Sequence, residues 1–409
     1  MSDSAETAPN ETVSKRFVSV DALRGFDMFW ILGADAVGLA LKGVNGNRVT
    51  ECIAVQLEHE VWEGLRFYDL IFPLFLFLVG VSMIFSLDRA LAAGRSATLL
   101  RIVRRSVLLF ALGLFYYGGL SQPLSDMRWG GVLQHIAICY FFAAGVYCVV
   151  RTTKGLVAVS AGLLIGYWVL LTFVPFPDLK LDPDVVEPLA RQVGSHAPRD
   201  IAAAVEGQIR GVYEDGRNLT HYLDYRFMPG HRSNNGYYTN MGLLSIVSSV
   251  ALVLLGAVCG LLLKNPRIMP KSKVVWLSVA GAACLVLGLS WSLQFPIIKR
   301  IWTSSYVLVS AGLSMWLLAF FYLLIDVYER RTWCLPFIWI GSNAIALYLI
   351  SRIVDFKGLA DRFVGGDIGR YLNSHVASGI SGIATTSVAM LLILLLARWL
   401  YRRNIFVRV

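Results

Sequence analysis

Apolar residues along this chain fall in blocks of about twenty, separated by polar connections. Read by hydropathy, the blocks predict about ten spans, at roughly 17–41, 67–87, 102–120, 132–150, 155–174, 240–263, 274–294, 302–325, 334–352 and 381–401. About twenty helical residues cross roughly 30 Å of hydrocarbon, so the expected fold class is all-α, a polytopic transmembrane helix bundle. The connections alternate in character. One set is short and basic, with Arg89, Arg95, Arg101, Arg104 and Arg105 in one connection, Arg151 and Lys154 in the next, then Lys264, Arg267, Lys271 and Lys273. The positive-inside rule places this set, and with it both termini, in the cytoplasm. The other set, 43–66, 121–131, 175–239, 295–301 and 353–380, is less basic and faces outward.

Two segments stand apart. Residues 1–16 are polar, lack the apolar core of a secretory signal and read as a disordered cytoplasmic tail; residues 17–409 form one membrane domain. Within it, 175–239 reads as a large outward insertion forming a polar cap. The composition agrees: 56% of residues are hydrophobic and 16% charged, against roughly 25% charged in a soluble domain. The formal net charge of +10 does not imply nucleic acid, because Lys and Arg flank the apolar spans. Four of the six cysteines lie within apolar segments and none has metal-ligand spacing, so they read as small core filler. Gly256 and Gly260 form a GxxxG step, which predicts close helix packing within or between subunits.

Candidate chemistry lies where charge interrupts the apolar pattern. The first span carries Asp21, Arg24, Asp27 and Asp35. A charge at membrane depth costs on the order of 3 kcal/mol on insertion scales and ordinarily faces a protein interior. Asp21, Arg24 and Asp27 are three apart in turn and share a helix face, either as a structural ion-pair ladder or as the wall of a polar cavity. A second cluster opens the second span: "LEHEVWEGLRFYDLIFPLFLFLVGVS", residues 57–82. Histidine is the residue type suited to proton transfer near neutrality, and His59 stands there with Glu60 or Asp69 as a partner. The zinc pattern that "HEVWE" suggests is incomplete, since Glu63 stands where the second histidine is needed, and no metal is expected. Gln134, His135, Ser305 and Asn343 are further polar residues in or at the edges of spans.

The segments "SVDALRGFDMFWILGADA", "LEHEVWEGLRFYDLIFPLFLFLVGVS", "RWGGVLQHIAICY", "FPIIKRIWTSSYVL" and "GSNAIALYL" together resemble the heparan-α-glucosaminide N-acetyltransferase family, within a wider group of membrane acyltransferases. The resemblance runs through about residues 17–350. It implies acetyl transfer from cytoplasmic acetyl-CoA to the amine of a glucosamine-type sugar on the far side. It also implies a catalytic histidine in the "H-x-x-W-x-G-L" motif, here His59, the inner membrane of a bacterium as location, 175–239 as a periplasmic insertion, and a homodimer. The insertion carries no motif of the family, so the acceptor stays open.

On this reading His59 is the general base, with Glu60 and Asp69 as catalytic partners. Arg24, Arg101, Arg104 and Arg105 are expected at the donor, with Ser305, Asn343 or Trp62 donating a hydrogen bond toward its carbonyl. Trp62, Asp27, Asp224, His231, Asn234 and Asn235 are expected toward the acceptor. The competing expectation is an amino-sugar transporter without chemistry, which the buried charges and span count fit equally well.

Overall fold

The computed structural model describes residues 17–42, 48–376 and 378–407. The expected tail 1–16 and the side chain of Asp35 lie outside the described residues. The chain opens with α1 (Val18–Lys42), α2 (Arg48–Gln56), a 3₁₀ turn at Phe67–Leu70, α3 (Ile71–Ala92), α4 (Arg95–Tyr116), α5 (Val132–Val149) and α6 (Thr153–Phe173). The insertion holds β1 (Phe176–Pro177), α7 (Pro183–Val193), α8 (Pro198–Ala203), β2 (Gln208–Ile209), β3 (Tyr213–Glu214), β4 (Arg217–Asn218) and α9 (Leu219–Phe227). The bundle resumes with α10 (Ser245–Lys264), α11 (Pro270–Trp291) and α12 (Ser304–Tyr322). It ends with α13 (Leu335–Ser342), α14 (Ala344–Ile353), α15 (Phe356–Val364), α16 (Gly366–His375) and α17 (Ile380–Arg402).

Among the described residues seven helices are long and apolar enough to cross a membrane; α13 and α14, bent by 77° at Asn343, make an eighth if they form one span. The sequence reading expected ten. The two remaining candidates, α1 and α4, have the length but carry Asp21, Arg24 and Asp27 in one and Arg95, Arg101, Arg104 and Arg105 in the other. Asp21 and Arg24 of the first and Arg101, Arg104 and Arg105 of the second line one cavity, whereas Asp27 is buried away from it and Arg95 is exposed.

α3 and α10 are apolar on every side, the pattern of a helix surrounded by protein or lipid, and they form the centre. Their backbones touch. A Cβ on Gly80 would stand 1.9 Å from the Val253 carbonyl oxygen, one on Gly256 2.1 Å from that of Phe77, and one on Gly260 2.7 Å from that of Val81. The GxxxG step is therefore spent inside the chain, on α3. Leu74, Phe77, Leu78, Val81 and Ile84 of α3 and Leu252–Leu254 of α10 are buried in the core around this seam.

The insertion forms a cap on one end of the bundle. β1 pairs antiparallel with β2, and β3 with β4. Tyr167 and Leu171 of α6 and Phe295 pack with Phe176, Leu219 and Tyr222 of the cap. A second small cluster, Leu179, Leu181, Val186, Ile201, Tyr225 and Tyr238, gives the cap its own apolar centre. This end of the bundle also carries the 57–66 loop and the 295–303 loop; the arginine-rich end lies opposite.

Candidate active site

Asp69, in the 3₁₀ turn that opens α3, organises the capped end. Its Oδ2 accepts the backbone amides of Glu60 and Arg66, each at 3.1 Å, so the 60–66 loop is wound around the carboxylate. Oδ1 lies 2.9 Å from His59 Nδ1 and 3.0 Å from Lys299 Nζ, and those two nitrogens are 2.8 Å apart. The Tyr306 hydroxyl of α12 donates to the Asp69 carbonyl at 2.8 Å. The 295–303 loop that supplies Lys299 is fixed to the same segment, since Gly64 N donates to the Ile297 carbonyl at 2.9 Å. Asp69 is fully buried, whereas the His59 side chain is 56% exposed. Its ring rests near Tyr68, with centroids 4.8 Å apart, and Nδ1 is turned to the cluster.

Of the two carboxylates expected beside His59, Asp69 is in contact and Glu60 is not. The Glu60 carboxylate is held in a fork by Arg66, Nε to Oε2 at 2.8 Å and Nη2 to Oε1 at 3.1 Å. The Val61 amide together with this guanidinium keeps the Glu60 carboxyl below its ordinary range. Its role is to close the loop whose amides hold Asp69. Lys299, absent from the sequence reading, completes the cluster. Its only sequence signal is a lysine in a short connection of the less basic set, within a segment that carries the family resemblance.

The groups expected to donate toward a carbonyl have structural partners. The Trp62 indole N–H donates to the Tyr213 carbonyl in the cap at 2.8 Å. Ser305 Oγ donates to the Pro296 carbonyl at 3.0 Å. Asn343, at the α13–α14 bend, donates to the Ile405 carbonyl and accepts from Val407 N, both at 2.9 Å, so it anchors the C-terminal segment. Asp27 is fully buried, and neither carboxylate oxygen has a hydrogen-bond partner among the described residues; it does not line the cavity described below. Asn234 pairs with Tyr238 and Asn240, and Asn235 turns the chain with φ 49°. His231 is exposed on the strip against Met127. That turn reaches the His59 loop only indirectly: Tyr238 stacks on the buried His221, centroids 3.9 Å apart, and His221 meets Trp62 edge-on.

Asp224 is a buried cap rather than an open polar group. Its Oδ1 accepts the Leu243 amide at 2.9 Å, and burial pushes its carboxyl up to about 7, from about 3.9 in an unfolded chain. A raised folded value stabilises the fold fully below the unfolded value, and that contribution is lost as pH rises through the folded one. Wild type should thus lose stability relative to Asp224→Asn between about pH 4 and 7, by up to about 4 kcal/mol. Thermal unfolding in detergent across that window checks this, and a pH-independent difference between the two proteins would contradict it.

At the opposite end, a cavity of about 830 Å³ opens between α1, α3, α4, α5 and the α13–α14 bend. Among the described residues, Arg24, Arg89, Arg101, Arg104 and Arg105 line it, with Asp21 as the one carboxylate. The cavity therefore brings together all four arginines expected at the donor and adds Arg89. Arg24 donates to Asp21 at 3.1 Å and to Ser82 of α3; the Arg105 guanidinium lies 4.5 Å over the Tyr140 ring. The α3 face along the cavity runs from Arg89 through Ser86, Ser82 and Val79 to Phe75, about 21 Å at 1.5 Å per residue. A small gap of about 20 Å³, room for little more than one water, continues past Phe75 to Phe72 and Tyr348. Phe72 meets Trp302 edge-on at 5.5 Å, and Trp302 lies in the loop that carries Lys299. The two charged clusters sit at opposite ends of α3, roughly 27 Å apart, with an apolar constriction between.

No protein-family model matches the chain. Among curated proteins, the heparan-alpha-glucosaminide N-acetyltransferase of Mus musculus is 25% identical over 338 residues, 73% of this chain and 49% of that protein. The enzyme of the same name from Homo sapiens is 25% identical over 335 residues, 71% of this chain and 48% of that protein. The chain thus spans about half the length of the curated relatives it matches. With charged clusters at the two ends of one helical bundle and these two alignments, the chain stands as a distant relative of the heparan-alpha-glucosaminide N-acetyltransferases.

Proposed function

We propose that the protein is a membrane N-acetyltransferase that draws on acetyl-CoA at the arginine end and acetylates the amine of a glucosamine-type sugar at the His59 end. The observation that carries this reading is the cavity itself. Five guanidiniums against one carboxylate among the described residues suit a multiply anionic nucleotide, because Arg matches phosphate by paired hydrogen bonds. Its length along α3 suits a slender arm that reaches from the phosphates toward Phe75. Acetyl-CoA, when bound, supplies an acetyl thioester open to attack by an amine. The chain's own residues then hold the nucleotide by Arg101, Arg104 and Arg105, exclude water at the apolar constriction, and place a base at the far end. His59 takes a proton from the attacking amine, and Asp69 fixes the ring. On this reading the arginine-rich cavity end faces the cytoplasm, which the positive-inside rule favours, and the cap with His59 faces outward.

The test is direct. Purified protein in liposomes, given labelled acetyl-CoA and glucosamine, should yield N-acetylglucosamine. Sugar uptake without CoA and without acetylation would overturn the reading. Within the same system, Arg104→Glu should weaken CoA binding about 10–100-fold, since it removes a charge-assisted contact worth about 1.5–3 kcal/mol and adds a repelling charge. Affinity for the sugar should stay within about twofold. Titration calorimetry with CoA measures this, and equal affinity in variant and wild type would take Arg104 out of the donor site.

A further inference from the structure

Two nitrogens 2.8 Å apart, His59 Nδ1 and Lys299 Nζ, have room for one hydrogen between them. If Lys299 donates it, Nδ1 is an acceptor, and a neutral ring must then carry its proton on Nε2, which leaves no lone pair on the exposed side. If His59 donates it, Lys299 is the acceptor and Nε2 is free to act as a base. A hydrogen shared along this contact therefore fits the proposed general-base role only in the second arrangement, with Asp69 Oδ1, 2.9 Å from the same Nδ1, as the other acceptor that leaves Nε2 free.

We propose that Lys299 is the proton relay of the site, receiving the Nδ1 proton of His59 as Nε2 takes a proton from the attacking amine. This rests on the acetyltransferase reading above and adds to it the fate of the proton. The amine N–H and the Nδ1–H bonds break, and Nε2–H and a third Nζ–H form. The ring ends neutral, and the new ammonium faces the Asp69 carboxylate at 3.0 Å. In the reverse half, Nε2 gives its proton to the leaving group and Lys299 returns its own to Nδ1, so the cycle closes with no net change in either residue.

The surroundings suit a lysine that changes charge. Facing it are His59 and Asp69 from the α2–α3 connection, and Arg300 next in the chain, itself tied to Asp215 of the cap at 3.1 Å. Beside Asp69, Arg66 pairs with Glu60 at 2.8 Å and with Glu58 at 3.7 Å, and the Tyr306 hydroxyl donates to the Asp69 carbonyl. Burial, with the Arg300 charge adding, pulls the Lys299 ammonium below its ordinary range, while Asp69 acts the other way. The Lys299 side chain is 19% exposed, which leaves water a route to it.

Arginine separates a relay from a fixed positive charge, because a guanidinium keeps the charge and the donors but does not accept a proton. Lys299→Arg and Lys299→Gln should each lower kcat about 10²-fold, with KM for acetyl-CoA and sugar within about threefold of wild type. Retention of more than about a third of wild-type kcat in Lys299→Arg would overturn the relay. A second readout needs no acetyl transfer. Carbethoxylation of His59 by diethyl pyrocarbonate, followed on its peptide by mass spectrometry, should be about tenfold slower in Lys299→Arg, whose guanidinium would donate to Nδ1 and hold the proton on Nε2. Equal labelling rates in the two proteins also overturn the relay. A wild-type protein that labels as expected but transfers no acetyl group sinks the enzymatic reading instead.

Discussion

His59→Ala is expected to cut acetyl transfer about 10²–10⁴-fold, the share a positioned general base ordinarily supplies, while CoA affinity stays at the wild-type value. The two effects separate because the imidazole and the arginine cavity lie at opposite ends of α3. Stability should fall by about 0.5–1.5 kcal/mol, the net worth of one hydrogen bond, because the His59 side chain is more than half exposed and Asp69 Oδ1 keeps Lys299 as a partner. The loop geometry does not depend on the ring either, since Asp69 is held by the Glu60 and Arg66 amides. The measurement pairs product formation from labelled acetyl-CoA with calorimetric CoA binding. A variant that keeps a tenth or more of wild-type turnover would remove His59 as the base. One that loses CoA binding as well would show that the two ends are not independent.

What was legible in the sequence follows from which physical terms are local. The apolar blocks announce α3, α5, α6, α10, α11, α12 and α17 directly, because twenty residues of apolar helix have few other environments. Charge made α1 and α4 harder to read, yet the same charge pointed to the donor cavity: Arg24 stands out because charge at membrane depth needs a polar wall, and Arg101, Arg104 and Arg105 because cytoplasmic arginines suit the phosphates of the implied donor; the structure brings all four to one cavity. Contacts between distant segments were not legible. Glu60 stands next to His59 in the chain, but the loop turns its side chain to Arg66 and delivers Asp69, ten residues on, to the ring. Lys299 arrives from 240 residues away. Trp62, Ser305 and Asn343 were plausible donors by type, and each is held by a backbone carbonyl that only the tertiary fold places there. The GxxxG step named its own purpose but not its partner, which proved to be α3.

Asp69→Asn should damage both fold and activity, and a double variant can tell the two contributions apart. Donors converge on this carboxylate from two backbone amides and from Lys299, with His59 Nδ1 at 2.9 Å. An ionised carboxylate accepts on both oxygens, whereas an Asn side chain offers one accepting oxygen and an NH₂ that must face donors on its other side. The site is fully buried at this residue, so water does not relieve the mismatch. With two donors left unsatisfied at about 1–3 kcal/mol each, the expected loss of stability is about 2–6 kcal/mol. If the NH₂ faces the amides, the 57–66 loop loosens; if it faces His59 and Lys299, the ring loses the acceptor that fixes it. Either outcome lowers turnover about as far as His59→Ala does, because the base is no longer aimed. Adding Lys299→Met to Asp69→Asn removes one of the stranded donors, so the double variant should recover part of the stability that the single one loses, with a coupling of about 0.5–3 kcal/mol. Turnover should not recover, since neither the orienting acceptor nor the relay is restored. Thermal unfolding in detergent and the labelled acetyl assay, run on the single and double variants together, decide the point. Strictly additive stabilities would mean that Asp69 and Lys299 do not share an interaction, contrary to the 3.0 Å contact between them.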